Sequence, residues 1–205
     1  TLIRDSATFL DNNMTGNLNV LIKAKSKSGA EGLKKPENLK DLERLQIYLS
    51  KIEGVTSTIS ITEVVKSLHQ TFMYENDAYY TIPDSLQKIH SLFFMYEMNE
   101  DSDVSSLINY DGDQGIITAL MKTFPTTKMD EYRYDIRAFI DNEILNTNED
   151  LELEISGMMA FFSDFIKLVI KSTAFSITAS IILIFIVTSI FFRSWIFGIL
   201  SIITL

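Results

Sequence analysis

The sequence predicts an α+β domain that runs into a membrane-spanning helix, and three observations carry that prediction. Alternating and helix-periodic segments follow one another as strand, helix, strand, helical stretch, strand, helix, strand. From Ser172 to Phe192 the chain then holds no charged residue and is rich in Ile, Phe and Val. At about 1.5 Å per residue that stretch covers roughly 31 Å, the thickness of a bilayer's hydrocarbon core. After Arg193 and Ser194 an apolar run resumes from Trp195 to Leu205.

Leu18, Val20, Ile22 and Ala24 alternate with Asn19, Lys23 and Lys25, which predicts the first strand. Lys25 to Lys35 reads as a loop. Leu39, Leu42, Leu45, Leu49 and Ile52 recur at spacings of three and four, a helical stripe closed by Gly54 at C′. Val55, Ser57, Ile59 and Ile61 share one face of a second strand. Thr62 to Tyr110 then holds helical runs and no clear strand. Thr62 and Glu63 open one helix, Pro83 and Asp84 precede another, and Val104 to Ile108 is a short third.

Gly112 and Gly115 mark a turn into a third strand, Ile116 to Phe124. Thr127 to Asp130 has the outline of a capping box opening a helix with the stripe Tyr132, Ile136, Phe139, Ile140 and Ile144. Leu151, Leu153 and Ile155 alternate with Glu152 and Glu154 as a fourth strand. With the insertion at 62–110 set aside, the order is that of a ferredoxin-like split βαβ domain. In that arrangement the strands at 18–24 and 151–155 are sheet neighbours. Ser156 and Gly157 lead into an amphipathic linker helix, 157–171, which joins the span at 172–192.

A soluble core helix rarely runs this long without a charge, and the stretch lies too late in the chain for a signal peptide. The segment 195–205 covers only about half a bilayer, so it is expected to open a second span. The absence of an initiator Met at Thr1 makes both ends read as cut, with 1–16 as a linker from a preceding membrane helix. Arg193 is placed to reach the headgroups and Trp195 to sit in the interfacial belt. Lys167 and Lys171, four residues apart, fall on one helix face and fit anchoring by snorkelling. Cations at both ends of the span leave its orientation undecided by charge.

A formal net charge of −9 argues against nucleic acid as a partner and against the domain lying flat on anionic lipid. No cysteine is present, so disulfides and thiolate metal sites are excluded. Asp111-Gly-Asp113-Gln-Gly115 starts like a calcium loop, but Gly115 takes the fifth position and Lys122 the twelfth, where Glu is needed. A turn entering the third strand is the better reading. His69 and His90, the two histidines, lie on separate helices without ligand spacing and read as surface or half-buried side chains. With no nucleophile elbow and no phosphate-cradling loop, neither a catalytic residue nor a cofactor is expected.

The chain resembles the exporters of the resistance–nodulation–division (RND) superfamily, in the branch of hydrophobe and lipid transporters related to the MmpL proteins. Leu39 to Val55 is similar to the family's helix ending in a hydrophobic–x–Gly–Val turn, here Ile52-Glu53-Gly54-Val55. Ile59 to Leu68 is similar to its S-I-x-(D/E) segment, and Tyr79-Tyr80-Thr81-Ile82-Pro83 to its Y-Y-x-I/L-P element. Leu107 to Asp111 resembles a later L-hydrophobic-x-Y/F-D stretch, and Phe192-Arg193-Ser194 the F-R-S end of the second membrane helix. The resemblance implies that 17–156 is the first periplasmic porter domain, on the outer side of the cytoplasmic membrane, with Arg193 cytoplasmic. It further implies proton-driven export, with the remaining membrane helices and a second porter domain of the same protein as partners and a homo-oligomer as one open arrangement. From Ser172 to Leu205 there is no Asp, Glu, Lys or His, so the proton relay is expected elsewhere.

The insertion is dense in aromatic and Met side chains, the soft walls that suit a lipid-like substrate; the alternative is the core of a helical subdomain. Phe93-Phe94-Met95-Tyr96 cannot all face one small core, so at least one points outward. The candidates for substrate contact are Phe72, Phe94, Met95 and Met98. The rival reading is an extracytoplasmic ligand-binding or sensory domain of a membrane receptor. A sensor would follow its span with a charged signalling helix, where this chain is apolar.

Overall fold

The computed structural model describes residues 18–98, 104–122 and 125–203, together with positions 5, 6, 9, 14 and 16. Most of the expected linker at 1–16, Phe124 and Leu205 lie outside the described residues. The chain divides into two compact units, Thr1–Phe161 and Phe162–Leu205.

The first unit is a mixed helix-and-sheet fold around one four-stranded antiparallel sheet, in the order β2-β3-β1-β4. The strands are β1 (Leu18–Ser26), β2 (Val55–Ile59), β3 (Gln114–Met121) and β4 (Leu151–Ser156). β1 pairs with β3 from Leu18↔Met121 to Lys25↔Gln114 and with β4 from Leu21↔Ser156 to Ser26↔Leu151. The strands at 18–24 and 151–155 are therefore neighbours, as expected. Period-two alternation turns Val20, Ile22, Ala24, Ile117, Ala119, Leu151 and Leu153 to one buried face.

Helix α1 (Pro36–Ser50) starts with Pro at its first position, where the missing N–H costs nothing. It packs Leu39, Leu42, Leu45 and Leu49 on the sheet. Helix α2 (Ile61–Phe72) adds Ile61 and Val65, and α3 (Leu86–Glu97) adds Ile89 and Phe93. These join the same core cluster as the sheet, so the insertion is not a separate subdomain with its own core. Helix α4 (Thr126–Phe139) continues into a π-helical turn, Ile140–Leu145. Ile136, Ile140 and Ile144 are spaced by four, wider than the 3.6-residue turn, and the wider π turn keeps all three buried. Tyr48 of α1 stacks on Phe139 of α4, with ring centroids 4.0 Å apart.

Several expectations are corrected. The second strand stops at Ile59, because the Ser60 side chain accepts from Thr62 N and caps α2 one residue earlier than expected. Ile61 is thus buried in a helix, and an irregularity between Val55 and Ser57 leaves Ile59 exposed on this edge strand. Helix α1 ends at Ser50 with Lys51 as its C-cap, so Ile52 falls beyond it and Gly54, at φ 88°, serves the turn into β2 rather than C′. Thr127 lies inside α4, whose entry is set by Pro125 in extended backbone. Val104 to Ile108 forms no helix: Ile108 bridges Gly115, and Ile116 N donates to Leu107 O at 2.9 Å.

One polar knot holds β1, α1 and β4 together. The Asp150 carboxylate accepts from Ser28 Oγ at 2.5 Å, Asn38 Nδ2 at 2.7 Å and Ser26 Oγ at 2.9 Å, with Lys35 Nζ at 3.5 Å. Burial raises the Asp150 pKa, but these donors and the Lys35 charge outweigh it and hold the carboxyl well below the usual range. A folded-state value below the unfolded one means the stabilisation is complete above the ordinary carboxylate pKa and is lost as pH falls. Asp150→Ala is expected to cost about 2 kcal/mol near neutral pH, a cost that shrinks below about pH 4. Denaturant melts across that range check it; a cost independent of pH would contradict the assignment.

Candidate functional site

Helix α3 shows how four successive bulky residues divide. Ser85 caps it, and Ile89, Leu92 and Phe93 fall on the buried side. At about 100° per residue, Phe94 and Met95 rotate away from that side. Phe93 is 2% exposed, whereas Phe94 is 66% and Met98 70% exposed, with Met95 also exposed. Phe94 and Met95 thus lie on α3 with Met98 at its C-cap, while the exposed Phe72 ends α2, a different element. Phe94 and Phe93 line a depression of about 290 Å³ with Glu31, Lys34 and His90. There Lys34 Nζ pairs with Glu31 at 3.0 Å and lies 4.6 Å from the Phe93 ring centroid, and His90 Nε2 is 3.3 Å from Glu31.

The elements that place this helix pair are polar. Gln46 Oε1 accepts from Ser60 Oγ at 2.5 Å and from Thr62 Oγ1 at 2.6 Å, all three residues being buried. The S-I-x-E stretch is therefore a helix cap tied to α1. His69 is buried at 5% exposure, contrary to the surface or half-buried expectation, because its ring fills the space between α2 and the loop after it. Its Nδ1–H donates to the Thr81 carbonyl at 2.7 Å, and Tyr79 meets the ring edge-on at 5.4 Å. Lys66 pairs with Glu43 at 2.7 Å and lies 4.9 Å from the Tyr80 ring centroid. The Y-Y-x-I-P stretch thus anchors the loop through Tyr79, Tyr80, the Thr81 carbonyl and the buried Ile82. At Asp111–Gly115 the chain makes a turn in which Asn109 Oδ1 accepts from Asp113 N and Gln114 N, while Asn109 Nδ2 donates to Asp113 Oδ1 at 2.6 Å.

A cavity of about 420 Å³, larger than the depression beside Phe94, lies on the sheet and includes Leu21, Lys23, Ile116 and Glu154. In the sequence these positions are only the outward side of three strands. No local pattern marks them as a group, since the sheet register alone brings them together.

The second unit contains most of helix α5 (Met158–Phe191) and α6 (Trp195–Ile203). The expected linker helix and span form one helix of 34 residues, none of whose most apolar stretch is buried. At 1.5 Å per residue it is about 51 Å long, against about 30 Å of hydrocarbon. Lys167 and Lys171 are exposed on its polar part. Arg193 adopts φ 48° in the turn between α5 and α6, and the exposed Trp195 opens α6. A Cβ on Gly198 would lie 2.1 Å from Ser189 Oγ and 2.8 Å from the Phe185 ring, so a larger residue there would displace one or both side chains at this contact of the two helices. Thr188 Oγ1 and Ser201 Oγ are 3.1 Å apart across the same contact.

The outward placement of Phe94 and Met95 generates a stability prediction. Phe94→Asp and Met95→Asp are each expected to stay within about 0.5 kcal/mol of the parent protein, while Phe93→Asp costs several kcal/mol. Thermal melts of the three variants check it, and equal losses at Phe93 and Phe94 would contradict the packing.

Residues 45–205, more than half of the chain, match the model of the MMPL family. No curated protein matches the chain. The long apolar helix, the short turn at Arg193 and the second apolar helix sit within the matched region. Members of the family are membrane transporters rather than enzymes, and this chain belongs to it: it is part of an RND-type transporter of the MMPL family.

Proposed function

We propose that the chain supplies a porter domain and a coupling helix to a proton-driven exporter of hydrophobic or lipid-like molecules. The observation that carries this reading is helix α5. It buries Met159 in the core of the first unit, runs unbroken from Met158 to Phe191, and carries no charge after Lys171. In this reading the helix is the element that couples the soluble domain to the membrane span. In this reading the soluble part, 17–156, is a ferredoxin-like split βαβ domain carrying the insertion 62–110. The sheet order supports it, because each helix-linked strand pair, β1/β2 and β3/β4, is split by one other strand.

Residues 157–171 then form the linker helix, 172–192 the span, and 195–205 the opening of the next. The soluble domain stands on the periplasmic side of the cytoplasmic membrane, with Lys167 and Lys171 at the outer headgroups and Arg193 and Trp195 at the inner ones. Its partners are the bilayer, the remaining membrane helices and the second porter domain. The relay carboxylates belong to other membrane helices, because 172–205 holds none. Phe72, Phe94, Met95 and Met98 offer the adaptable apolar surface that a lipid-like substrate contacts. Membership of a transporter family disfavours the sensory alternative.

The test is native mass spectrometry with lipid extraction on the full-length protein, taken from its own membranes in mild detergent. A Phe94→Asp/Met95→Asp variant, folded by its thermal melt, is measured beside it. A distinct lipid is expected to stay with the wild type and to be lost from the variant. Equal retention would remove these two residues from the substrate path.

A further inference from the structure

Among the described residues, helices cover one face of the sheet and leave the other open. On the open face the 420 Å³ cavity forms a groove across β1, β3 and β4. Leu21, Leu107 and Ile116 belong to its apolar lining, and Lys23 and Glu154 are its charged residues, beside polar ones that include Ser156 and Asn109. One wall, residues 105–109, is held to the sheet by main-chain bonds: Ile116 N donates to Leu107 O and Asn109 N to Gln114 O, both at 2.9 Å. The wall is therefore part of the fold rather than a loose flap. The volume lies within the roughly 300–1,000 Å³ of sites that hold small ligands. It suits one acyl chain rather than two.

The charges narrow the occupant. Lys23 and Glu154 are cross-strand partners in the β1–β4 register and both are exposed. No ion pair within 4.0 Å joins them, and neither has another ionic partner among the described residues. Lys25 and Glu152, the next cross-strand pair, show no ion pair either, but of the two pairs Lys23 and Glu154 are the one that lines the groove. The groove thus presents an ammonium and a carboxylate side by side, each with hydrogen-bonding capacity left over, at one end of an apolar floor. A purely anionic head would meet Glu154 and a purely cationic one Lys23. A zwitterionic head satisfies both, its phosphate at Lys23 and its ammonium at Glu154.

We infer that this groove is a binding site for a single-chain zwitterionic phospholipid, with Lys23 and Glu154 holding the head and Leu21, Leu107 and Ile116 the chain. The inference rests on the reading of the protein as a transporter of lipid-like molecules and adds a place and a head chemistry to it.

The probe is a lysophosphatidylethanolamine with a diazirine in its acyl chain, photolysed on the full-length protein in detergent, with adducts mapped by peptide mass spectrometry. Adducts are expected on the peptides carrying Leu21, Leu107 or Ile116. Lys23→Gln is expected to lower them about five-fold, and Ile116→Asp about ten-fold, with melting points unchanged. A fatty acid carrying the same diazirine should label these peptides more weakly than the zwitterion. Adducts confined to α3 or α5, with lipid still retained in native spectra, would overturn the groove and leave the transporter reading standing. So would a groove shielded from the probe by a second copy or another domain. Loss of both labelling and lipid retention would overturn the two together. Fatty-acid labelling equal to that by the zwitterion would overturn the head assignment.

Discussion

The position of β1 between β3 and β4 is the constraint on which the first unit depends. Its partners lie about 90 to 135 residues further along the chain, so pairing them closes long loops at a real entropic cost. What offsets that cost is the apolar face that the pairing completes: Val20, Ile22 and Ala24 of β1 are fully buried against α1 and α4. A slip of one residue would turn that face outward and expose it, so the register is fixed by the core. The same pairing brings the start of β1 and the end of β4 to one end of the sheet. Gly157 follows β4 so closely that a Cβ there would lie 2.8 Å from Leu21 N, and Met158 N donates to Asn19 Oδ1 at 2.8 Å. The start of β1 and the end of β4 thus lie side by side at one end of the sheet.

Around this sheet the molecule separates rigid attachment from available surface. Asp150 and Gln46 gather buried or half-buried donors from elements far apart in sequence, fixing β1, α1, β4 and the start of α2. The helical insertion shares the core through Ile61, Val65, Ile89 and Phe93, and its loop is held by His69 and Tyr80. The aromatic and Met side chains left outside are therefore displayed on a firm support. Contact with a lipid-like molecule at such a surface need not spend free energy on ordering the protein first. The open sheet face is supported in the same way by main-chain bonds.

Much of this was legible in the sequence, for identifiable reasons. β1 and β4 alternate strictly because one face is buried and the other wet, and α1 and the span declare themselves by period and by length. The sequence required at least one of Phe93 to Tyr96 to point outward, and with Phe93 buried the turn of about 100° per residue carries Phe94 out. The misreadings sit where tertiary or capping contacts decide. Ile59 and Ile61 look like one strand face until Ser60 is seen to cap a helix between them. Val104 to Ile108 has helix-compatible residues, but pairing with Gly115 and Ile116 makes it an extension of the sheet. The burial of His69 follows from a loop that folds back twelve residues later, and the groove at Lys23 and Glu154 exists only once the β1–β4 register is set.

The central claim, a soluble domain on the outer side joined to a helix that crosses the membrane, is open to a direct measurement. These 205 residues hold no cysteine, and any cysteine elsewhere in the full-length protein is first replaced by Ser, so that each introduced cysteine reports alone. Tyr74, which is 98% exposed in the first unit, and Ser194, in the turn after α5, are each changed to Cys in the full-length protein. Spheroplasts are then treated with a membrane-impermeant maleimide. The account predicts that Tyr74→Cys reacts at once and that Ser194→Cys reacts only after the membrane is permeabilised. Reaction of both from the outside, or of neither until permeabilisation, would place the two ends of α5 on the same side and contradict it.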